Sequence, residues 1–201
     1  MSRFHPKIGN TVSTDVYGVK VDRGYIAHFQ VSAVAATAAD TDGIHAAIID
    51  TGVQQVVTTD ITNPSVPRNI TATAGGTAAD IGAIQVTIEG TNYNNGVITE
   101  TLPVFTVNTP GTVIGSKAFK MVTKITIPAH NGTGATTAIG FGEKLGLPYK
   151  LFHNTIFMAY LNNVKEGTMP AVVVNAAALE SNTVDLNSAL DGHVVDVYLV
   201  I

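Results

Sequence analysis

The chain alternates apolar and polar residues between Ile84 and Ile127, and this alternation constrains the fold more than any other feature. In its first part, Ile84, Val86 and Ile88 are separated by polar residues. Successive side chains of a strand point to opposite faces, so a period of two predicts strands with one buried and one solvated face. The run at 90–96 is rich in Gly and Asn, which tolerate positive φ, and it predicts the turn of a hairpin.

Two later segments give equally specific predictions. The segment 119–127 is predicted to be one strand, with the apolar residues of one parity on its buried face: Phe119, Met121, Ile125 and Ile127. The last segment, 193–201, is apolar at both parities, so we expect a central strand or one covered on both faces. Such a strand ties down the C-terminal end of the fold, whereas the N-terminal end is expected to be free.

Short apolar segments separated by turn residues continue along the chain. The further strand candidates are 16–21, 25–31, 44–49, 53–58, 68–73, 84–89, 97–105, 112–114, 136–143, 149–161 and 171–175, and 33–42 is either a short helix or a loop. Many short strands with regular turn signals predict an all-β fold. Over 63–147 their spacing favours an immunoglobulin-like β-sandwich, without the Cys and Trp residues of true immunoglobulin domains.

Pro64 and Pro67 indicate a stiff connector, because each proline fixes φ and lacks a backbone donor. The predicted parts are therefore an extended N-terminal arm at 1–15, the sandwich at 63–147, and a second β module formed by 16–62 together with 148–201. The second module is expected to add a further β layer or subdomain to the sandwich.

Charged residues make up only 13% of the 201-residue chain, about half the usual share. The polar surface must therefore be built largely from Thr, Asn and Ser, and such a surface suits burial against other subunits. The net charge of −4 argues against a nucleic-acid partner, which needs a basic face to neutralise phosphates. The absence of cysteine excludes disulfides, thiolate metal sites and cysteine nucleophiles.

The N-terminal residues 1–7 carry charge, but no apolar segment follows them. We therefore expect no Sec-type signal peptide. No run approaches the roughly 18 apolar residues that a membrane span requires. The expectation is a protein made in the cytoplasm, with no membrane partner.

Candidate metal sites are weak. Asp40-Thr-Asp42-Gly43 resembles the opening of a calcium loop, but the later Asp, Asn and Glu ligands are missing, so a turn with Asx hydrogen bonds is favoured. The six histidines occur singly, with no short ligand spacing: His5, His28, His45, His130, His153 and His193. Surface or packed histidines are the expected outcome, and no metal ligand is nominated.

Candidate catalytic and cofactor sites are equally weak. Glu89 and Glu100 are expected to face one another across the hairpin as two solvated carboxylates, with no aromatic sugar platform nearby. The Gly-rich runs at 75–82 and 132–140 do not fit the dinucleotide fingerprint and are expected to form turns. No motif nominates a serine nucleophile. We therefore predict no catalytic and no cofactor-binding residue, and a protein that is not an enzyme.

The sequons at Asn69 and Asn131 match the glycosylation pattern, but without a signal peptide they are expected to be accidental.

Five short sequence patterns follow one another along the central part of the chain. They are Asn63-Pro-x-x-Pro-Arg-Asn-Ile70, Val86-Thr-Ile-Glu-Gly-Thr91, Gly96-x-x-Thr-Glu-Thr-Leu102, Lys117-Ala-Phe-Lys-x-Val-Thr-Lys-Ile125 and Ile139-Gly-x-Gly142. In their order and spacing, the residues 64–147 resemble a module of tailed-phage virion proteins, typically small head or decoration proteins. The resemblance implies a structural component of a virus particle.

The leading hypothesis is a capsid decoration (cement) protein that binds the outer surface of the major-capsid lattice and forms a homotrimer. A tail or head–tail connector component is the alternative within the virion. A carbohydrate-binding or adhesive module on the virion surface is a second alternative. It requires exposed aromatic side chains, for which the candidates are Tyr17, Tyr25, Tyr93, Tyr149, Tyr160 and Tyr198. Tyr93 is expected to be the most exposed, at the hairpin tip.

Overall fold

The computed structural model describes residues 11–22 and 24–201. This part of the chain is all-β, with sixteen strands and two single-turn 3-10 helices at Ala78–Asp80 and Leu179–Ser181. The strands are β1 (Thr11–Ser13), β2 (Lys20–Asp22), β3 (Ile26–Val31), β4 (Asp40–Ile49), β5 (Gln55–Val57), β6 (Arg68–Gly76), β7 (Thr87–Thr91), β8 (Val97–Thr101), β9 (Gly111–Phe119), β10 (Met121–Ile127), β11 (Ala135–Gly146), β12 (Ile156–Leu161), β13 (Val164–Lys165), β14 (Ala171–Val173), β15 (Thr183–Asp185) and β16 (Val195–Val200).

The described strands form four sheets, and every pairing in them is antiparallel. The largest has the order β14-β15-β11-β6-β9, with β4 also paired to β11. A second sheet has the order β5-β10-β7-β8, and a third has the order β13-β12-β16-β3. The fourth is the β1–β2 hairpin.

The first hydrophobic core lies between the largest sheet and the β5-β10-β7-β8 sheet. β6 contributes Ile70, Ala72 and Ala74, and β7 contributes Ile88 from the opposite sheet. These positions follow the period of two along their strands, as the sequence predicts. Two sheets that bury one face each against the other form a β-sandwich-like layer pair.

The second core lies beneath the β13-β12-β16-β3 sheet. Its members include Phe29 of β3 and the alternate residues Val195, Val197 and Leu199 of β16. Val184 of β15 belongs to the same core, so the far end of the largest sheet covers it.

β11 connects the two cores, because it is long enough to reach both. Near its start, Ala135 and Ile139 are buried in the first core. Near its end, Leu145 is buried in the second core. The same strand pairs with β4 and β6 up to Phe141, with β6 again at Leu145, and with β15 at Leu145 and Gly146.

The strand pairing differs from the predicted division of the chain. β3 pairs with β16, so residues 26–31 lie with the C-terminal strands of the second core. β4 and β5 were assigned to the same second module, but β4 pairs with β11 and β5 pairs with β10. Ile44 of β4 is buried in the first core. The sandwich-like layers therefore include β4 and β5, two strands that precede the proline connector.

Residues 1–10 of the predicted N-terminal arm lie outside the described residues, as does Arg23 in the predicted turn at 22–24. The rest of the arm is not an unpaired extended segment, because β1 pairs with β2. The predicted strand at 16–21 is wrong in its first half, where the chain turns. Gly18 has a φ of +79° in this turn, a conformation that glycine adopts at little cost.

The predicted hairpin around 90–96 is confirmed, with β7 and β8 paired from Thr87 opposite Thr101 to Thr91 opposite Val97. The predicted strand 119–127 is instead two strands, β9 and β10, separated at Lys120. A register irregularity between Val122 and Lys124 shifts the parity of β10. As a result, Met121 is 44% exposed and Val122 is 2% exposed, the reverse of the predicted arrangement.

The prediction for the last strand is confirmed, because β16 lies between β12 and β3 and is paired on both sides. The segment 33–42 forms no helix: a turn covers 33–35, and β4 begins at Asp40.

The bulge in β10 gives a matched pair of substitutions. Val122→Ala removes two buried methyl groups and should lower the free energy of unfolding by about 2 kcal/mol. Met121→Ala changes an exposed side chain and should alter it by less than about 0.5 kcal/mol. Urea unfolding of both variants measures the difference. Equal losses, or a larger loss for Met121→Ala, would contradict the observed register.

Candidate functional site

The Asp40–Gly43 segment forms the start of β4 rather than a metal loop. The backbone N–H of Asp42 donates to Asp40 Oδ1 at 3.2 Å, which is the expected Asx hydrogen bond. Hydrogen bonding to Asp40, together with its charge, raises the pKa of the exposed Asp42 carboxyl above the usual value. Across residues 11–22 and 24–201, no group of three or more His, Asp or Glu side chains is arranged to hold a metal ion.

The described histidines are dispersed, as their sequence spacing predicts. His28 Nε2 lies 2.7 Å from Asp196 Oδ1, and His193 Nδ1 lies 2.9 Å from Asp191 Oδ1. His45 Nδ1 contacts the carbonyl of Ala46 at 2.7 Å. His5 lies outside the described residues.

The expected pair of solvated carboxylates, Glu89 and Glu100, does not exist. Glu89 lies opposite Thr99, whereas Glu100 lies opposite Ile88, so the two carboxylates point to opposite faces of the sheet. Glu89 pairs with Lys124 Nζ at 2.6 Å on the solvent side. Glu100 is buried on the core side. The prediction is wrong because it ignored the parity of the strand.

Glu100 of β8 forms hydrogen bonds to β9, and these link the two sheets at one edge. One of its carboxylate oxygens accepts hydrogen bonds from the Ser116 backbone N–H at 2.7 Å and from Ser116 Oγ at 2.8 Å. The backbone N–H of Lys117 lies 3.3 Å from both oxygens. A buried carboxylate with several donors is satisfied where it lies, so Glu100 has a structural partner for its charge.

A buried cluster of Asp50, His130 and Thr137 has the residue types of a catalytic triad but not its geometry. His130 Nδ1 accepts the backbone N–H of Gly82 at 3.1 Å, so the ring proton lies on Nε2 and is donated to Thr137 Oγ1 at 2.8 Å. Nε2 therefore cannot take the hydroxyl proton. Asp50 Oδ2 accepts the His130 backbone N–H at 2.8 Å, not the ring. This cluster holds loops together and offers no activated nucleophile.

Arg68 is a buried cation, and no sequence pattern identified it as a candidate site residue. It is 1% exposed, and its Nη1 donates to the Thr37 carbonyl at 2.6 Å. Its Cζ lies 4.7 Å from the centre of the Phe141 ring. Nε and Nη2 have no hydrogen-bond partner among the described residues. The guanidinium thus holds the loop before β4 against the start of β6.

Burial lowers the pKa of Arg68 to about 10, because the charged form loses its hydration, and the negative charges of Glu143 and Asp185 partly oppose this. A cavity of about 450 Å³ adjoins the side chain, and its lining includes Asn63 and Phe141. With a pKa of about 10, Arg68 remains positively charged at neutral pH. The burial of Arg68 could have been predicted from strand parity, because Arg68 lies two residues before the buried Ile70 in β6.

The Gly-rich runs form turns only in part, because Gly75 and Gly76 end β6 and residues 135–140 belong to β11. Gly76, with a φ of +78°, ends β6 beside Gly134, which lies directly before β11. Asn69 is buried, donates to the Gly115 carbonyl at 3.3 Å and accepts the Lys144 N–H at 3.0 Å. Asn69 is therefore not accessible to a glycosylating enzyme in the folded chain, whereas Asn131 is exposed.

Tyr93, the expected exposed aromatic residue, is partly buried against the second core. The β7–β8 turn reaches the second module, where Asn92 Nδ2 donates to Glu180 Oε2 at 3.2 Å. The prediction of an exposed tip is therefore wrong, because the turn packs on a segment distant in sequence. Tyr17, in the β1–β2 turn, is the fully exposed tyrosine instead.

The outer face of the β13-β12-β16-β3 sheet carries an aromatic cluster centred on Tyr198. Its ring stacks on His28 with centroids 4.6 Å apart. Tyr160 meets it edge-on at 6.1 Å, and Phe157 lies tilted at 6.5 Å. Beside the rings, Asp196 Oδ1 accepts Gln30 Nε2 at 2.8 Å. Aromatic faces next to fixed polar groups form a surface suited to binding.

A second apolar surface lies where the chain ends, and we name it the C-terminal corner. It consists of Tyr25, Ile26, Phe152, Val200 and Ile201, all exposed. Backbone hydrogen bonds of 2.9 Å join Tyr25 to Ile201 in both directions, and Ile26 lies opposite Val200. Phe152, Val200 and Ile201 also line a groove of about 360 Å³. Phe152, Val200 and Ile201 therefore share one groove, and Tyr25 and Ile26 lie at the adjoining end of β3.

The chain matches no protein-family model, no curated protein and no solved structure.

No helix in the described ranges is long and apolar enough to cross a membrane.

The His130 cluster gives a pH prediction. Burial lowers the pKa of His130 below 6.5, and the charge of Asp50 only partly opposes this. The unfolded chain therefore binds a proton more readily, and the contribution of the neutral ring is fully present above pH 6.5 and is lost as the pH falls below it. The loss is at most about 1.4 kcal/mol per pH unit for one proton.

Urea unfolding at pH 7.5 and pH 5 should therefore show a smaller decrease in stability for His130→Gln than for the native chain. His153→Gln, which changes an exposed histidine, is the control and should keep the native pH dependence. If His130→Gln and the native chain lose the same stability on acidification, His130 is not the titrating group.

Proposed function

We propose that the chain is a structural subunit of a tailed-phage virion, specifically a capsid decoration protein that binds the outer surface of the major-capsid lattice. The observation that carries this proposal is the amount of apolar side chain left exposed at the β1–β2 hairpin and the C-terminal corner. Exposed apolar surface of this kind marks sites of association. The low charged fraction of 13% is also suited to association, because it limits repulsion between neighbours.

The resemblance of residues 64–147 to phage virion modules gives the proposal its particular setting. Its patterns fall on β6, β7, β8, β9, β10 and β11, which supply most of the first core. The layered antiparallel sheets around this core are compatible with an immunoglobulin-like sandwich, which we include in the proposal.

A non-catalytic role is part of the same proposal. The buried polar residues Glu100, His130 and Asn182 each bond to backbone groups of other segments. Their hydrogen-bonding capacity is used to hold loops and sheet edges. We therefore nominate no catalytic, cofactor-binding or metal-binding residue.

A tail or head–tail connector position is the alternative within the virion, because a self-associating β subunit fits either location. The partners in the leading proposal are the major capsid protein and copies of the chain itself, in a homotrimer. A closed cyclic oligomer gives each copy the same contacts and leaves none unfilled.

Carbohydrate binding is a second candidate, favoured by the Tyr198 cluster. Stacked rings beside the polar groups of Asp196 and Gln30 supply both the apolar face and the hydrogen bonds that a sugar requires. Tyr93 does not contribute, because it packs against the second core.

Native mass and capsid binding test the proposal together. Light scattering should give a trimer, and the protein should sediment with capsids assembled without it. Capsids already saturated with the protein, and the protein alone, are the controls for specific pelleting. A monomer or hexamer that stays in the supernatant would contradict the decoration role; retention on a glycan array would then favour the adhesive alternative.

A further inference from the structure

The β1–β2 hairpin is an apolar element that pairs with no other described strand of its chain. Val16, Tyr17, Val19 and Val21 are all exposed, and Tyr17 reaches 104% of the reference accessibility. Its two three-residue strands pair with each other, and the turn is closed by Thr14, whose N–H donates to the Val19 carbonyl at 3.2 Å. An isolated two-stranded hairpin is at best marginally stable in water, so this one needs a surface to pack on.

The C-terminal corner is a surface without a cover. Phe152 is 77% exposed there, beside the groove that Val200 and Ile201 also line. Among the strands that the structure describes, the adjoining β3 pairs with β16 alone and is an edge strand. The free edge of such a strand presents backbone groups that can receive a further strand. Within residues 11–22 and 24–201, the hairpin does not cover the corner, since the apolar side chains of both are exposed.

We propose that the β1–β2 hairpin of one copy docks on the C-terminal corner of a second copy. Every copy then gives one hairpin and receives one, which closes either a two-fold dimer or a ring such as a trimer. This inference rests on the proposed function as a self-assembling subunit, and it specifies which surfaces meet.

Charge favours a second copy as the occupant. Asp15 is exposed in the hairpin turn, next to the apolar residues. Lys150 and His153 border the groove of the corner and are also exposed. Docking brings the carboxylate of one copy near the basic side chains of another, and opposite charges at the rim favour the correct partner.

The available area is also sufficient. A Tyr or Phe side chain buries about 150–250 Å². With the neighbouring valines and isoleucines, the rings of Tyr17, Tyr25 and Phe152 bring one contact to roughly the 1,000 Å² that a specific interface needs.

Introduced cysteines test the docking directly, because the chain contains none of its own. Tyr17→Cys and Phe152→Cys variants of the full chain are mixed and oxidised mildly, and covalent dimers are counted on a non-reducing gel. The disulfide should form roughly tenfold or more faster than between Val104→Cys and Phe152→Cys, since docking raises the effective concentration of the thiols. Val104 is exposed and directly precedes Phe105, which is buried in the first core.

Two results would overturn the inference. One is a rate of disulfide formation with Phe152→Cys that is no greater for Tyr17→Cys than for the Val104→Cys control. In this case Val19→Cys would also react with Phe152→Cys at the control rate. The other is an intramolecular disulfide in the Tyr17→Cys/Phe152→Cys double variant without linkage between mixed single variants, which would place the hairpin on its own chain.

Light scattering of a Tyr17→Ser/Val19→Ser variant gives a second measurement. Its oligomer should dissociate at concentrations at which the native chain remains assembled, while a Val97→Ser/Val104→Ser control stays assembled. Persistence of the oligomer would count against hairpin docking. Rapid cross-linking in a protein that ignores capsids would instead contradict the proposed function and leave the docking inference standing.

Discussion

The fold depends on one strand that is paired across both modules. β11 pairs with β6 and β4 along the sandwich and with β15 at its far end, over twelve residues. Its apolar residues enter the first core at Ile139 and the second at Leu145. The two cores therefore share one strand, and a structural element rather than a linker joins the two modules.

Buried polar groups hold the remaining contacts between segments distant in sequence. Arg68 holds the loop before β4, and Glu100 holds the edge where β8 meets β9. In the second module, Asn182 accepts the N–H groups of Leu151 and Asn175 and is fully buried. Glu100 and Asn182 exchange water for specific backbone partners, whereas Arg68 keeps one such partner and leaves Nε and Nη2 without one.

The period of two predicts much of this fold, because it reports which face of a strand is buried. It identified the β7–β8 hairpin and the central position of β16. Strand partners were less predictable: nothing local in the sequence says that β4 pairs with β11 across the proline connector. The predicted burial of Met121 and Val122 is reversed because a bulge in β10 shifts the parity of the two residues before it.

Among the candidate sites too, some features are predictable from the local sequence and others depend on tertiary contacts. The Asx hydrogen bond at Asp40 follows from local chemistry and was predicted, although the segment belongs to β4 and not to a turn. The burial of Glu100 was available from its parity with Ile98 and was missed. The packing of Tyr93 on the second core depends on tertiary contact, which no local pattern contains. The exposed corner is likewise formed by residues from three distant segments, Tyr25, Phe152 and Ile201.

The central claim, that β11 makes one cooperative unit of two cores, is tested most directly by calorimetry of the full chain. A shared strand predicts one unfolding transition whose calorimetric and van't Hoff enthalpies agree, with the hydrogen-exchange protection of both cores lost together. Two separable transitions, with the second core melting while the sandwich stays protected, would contradict the claim.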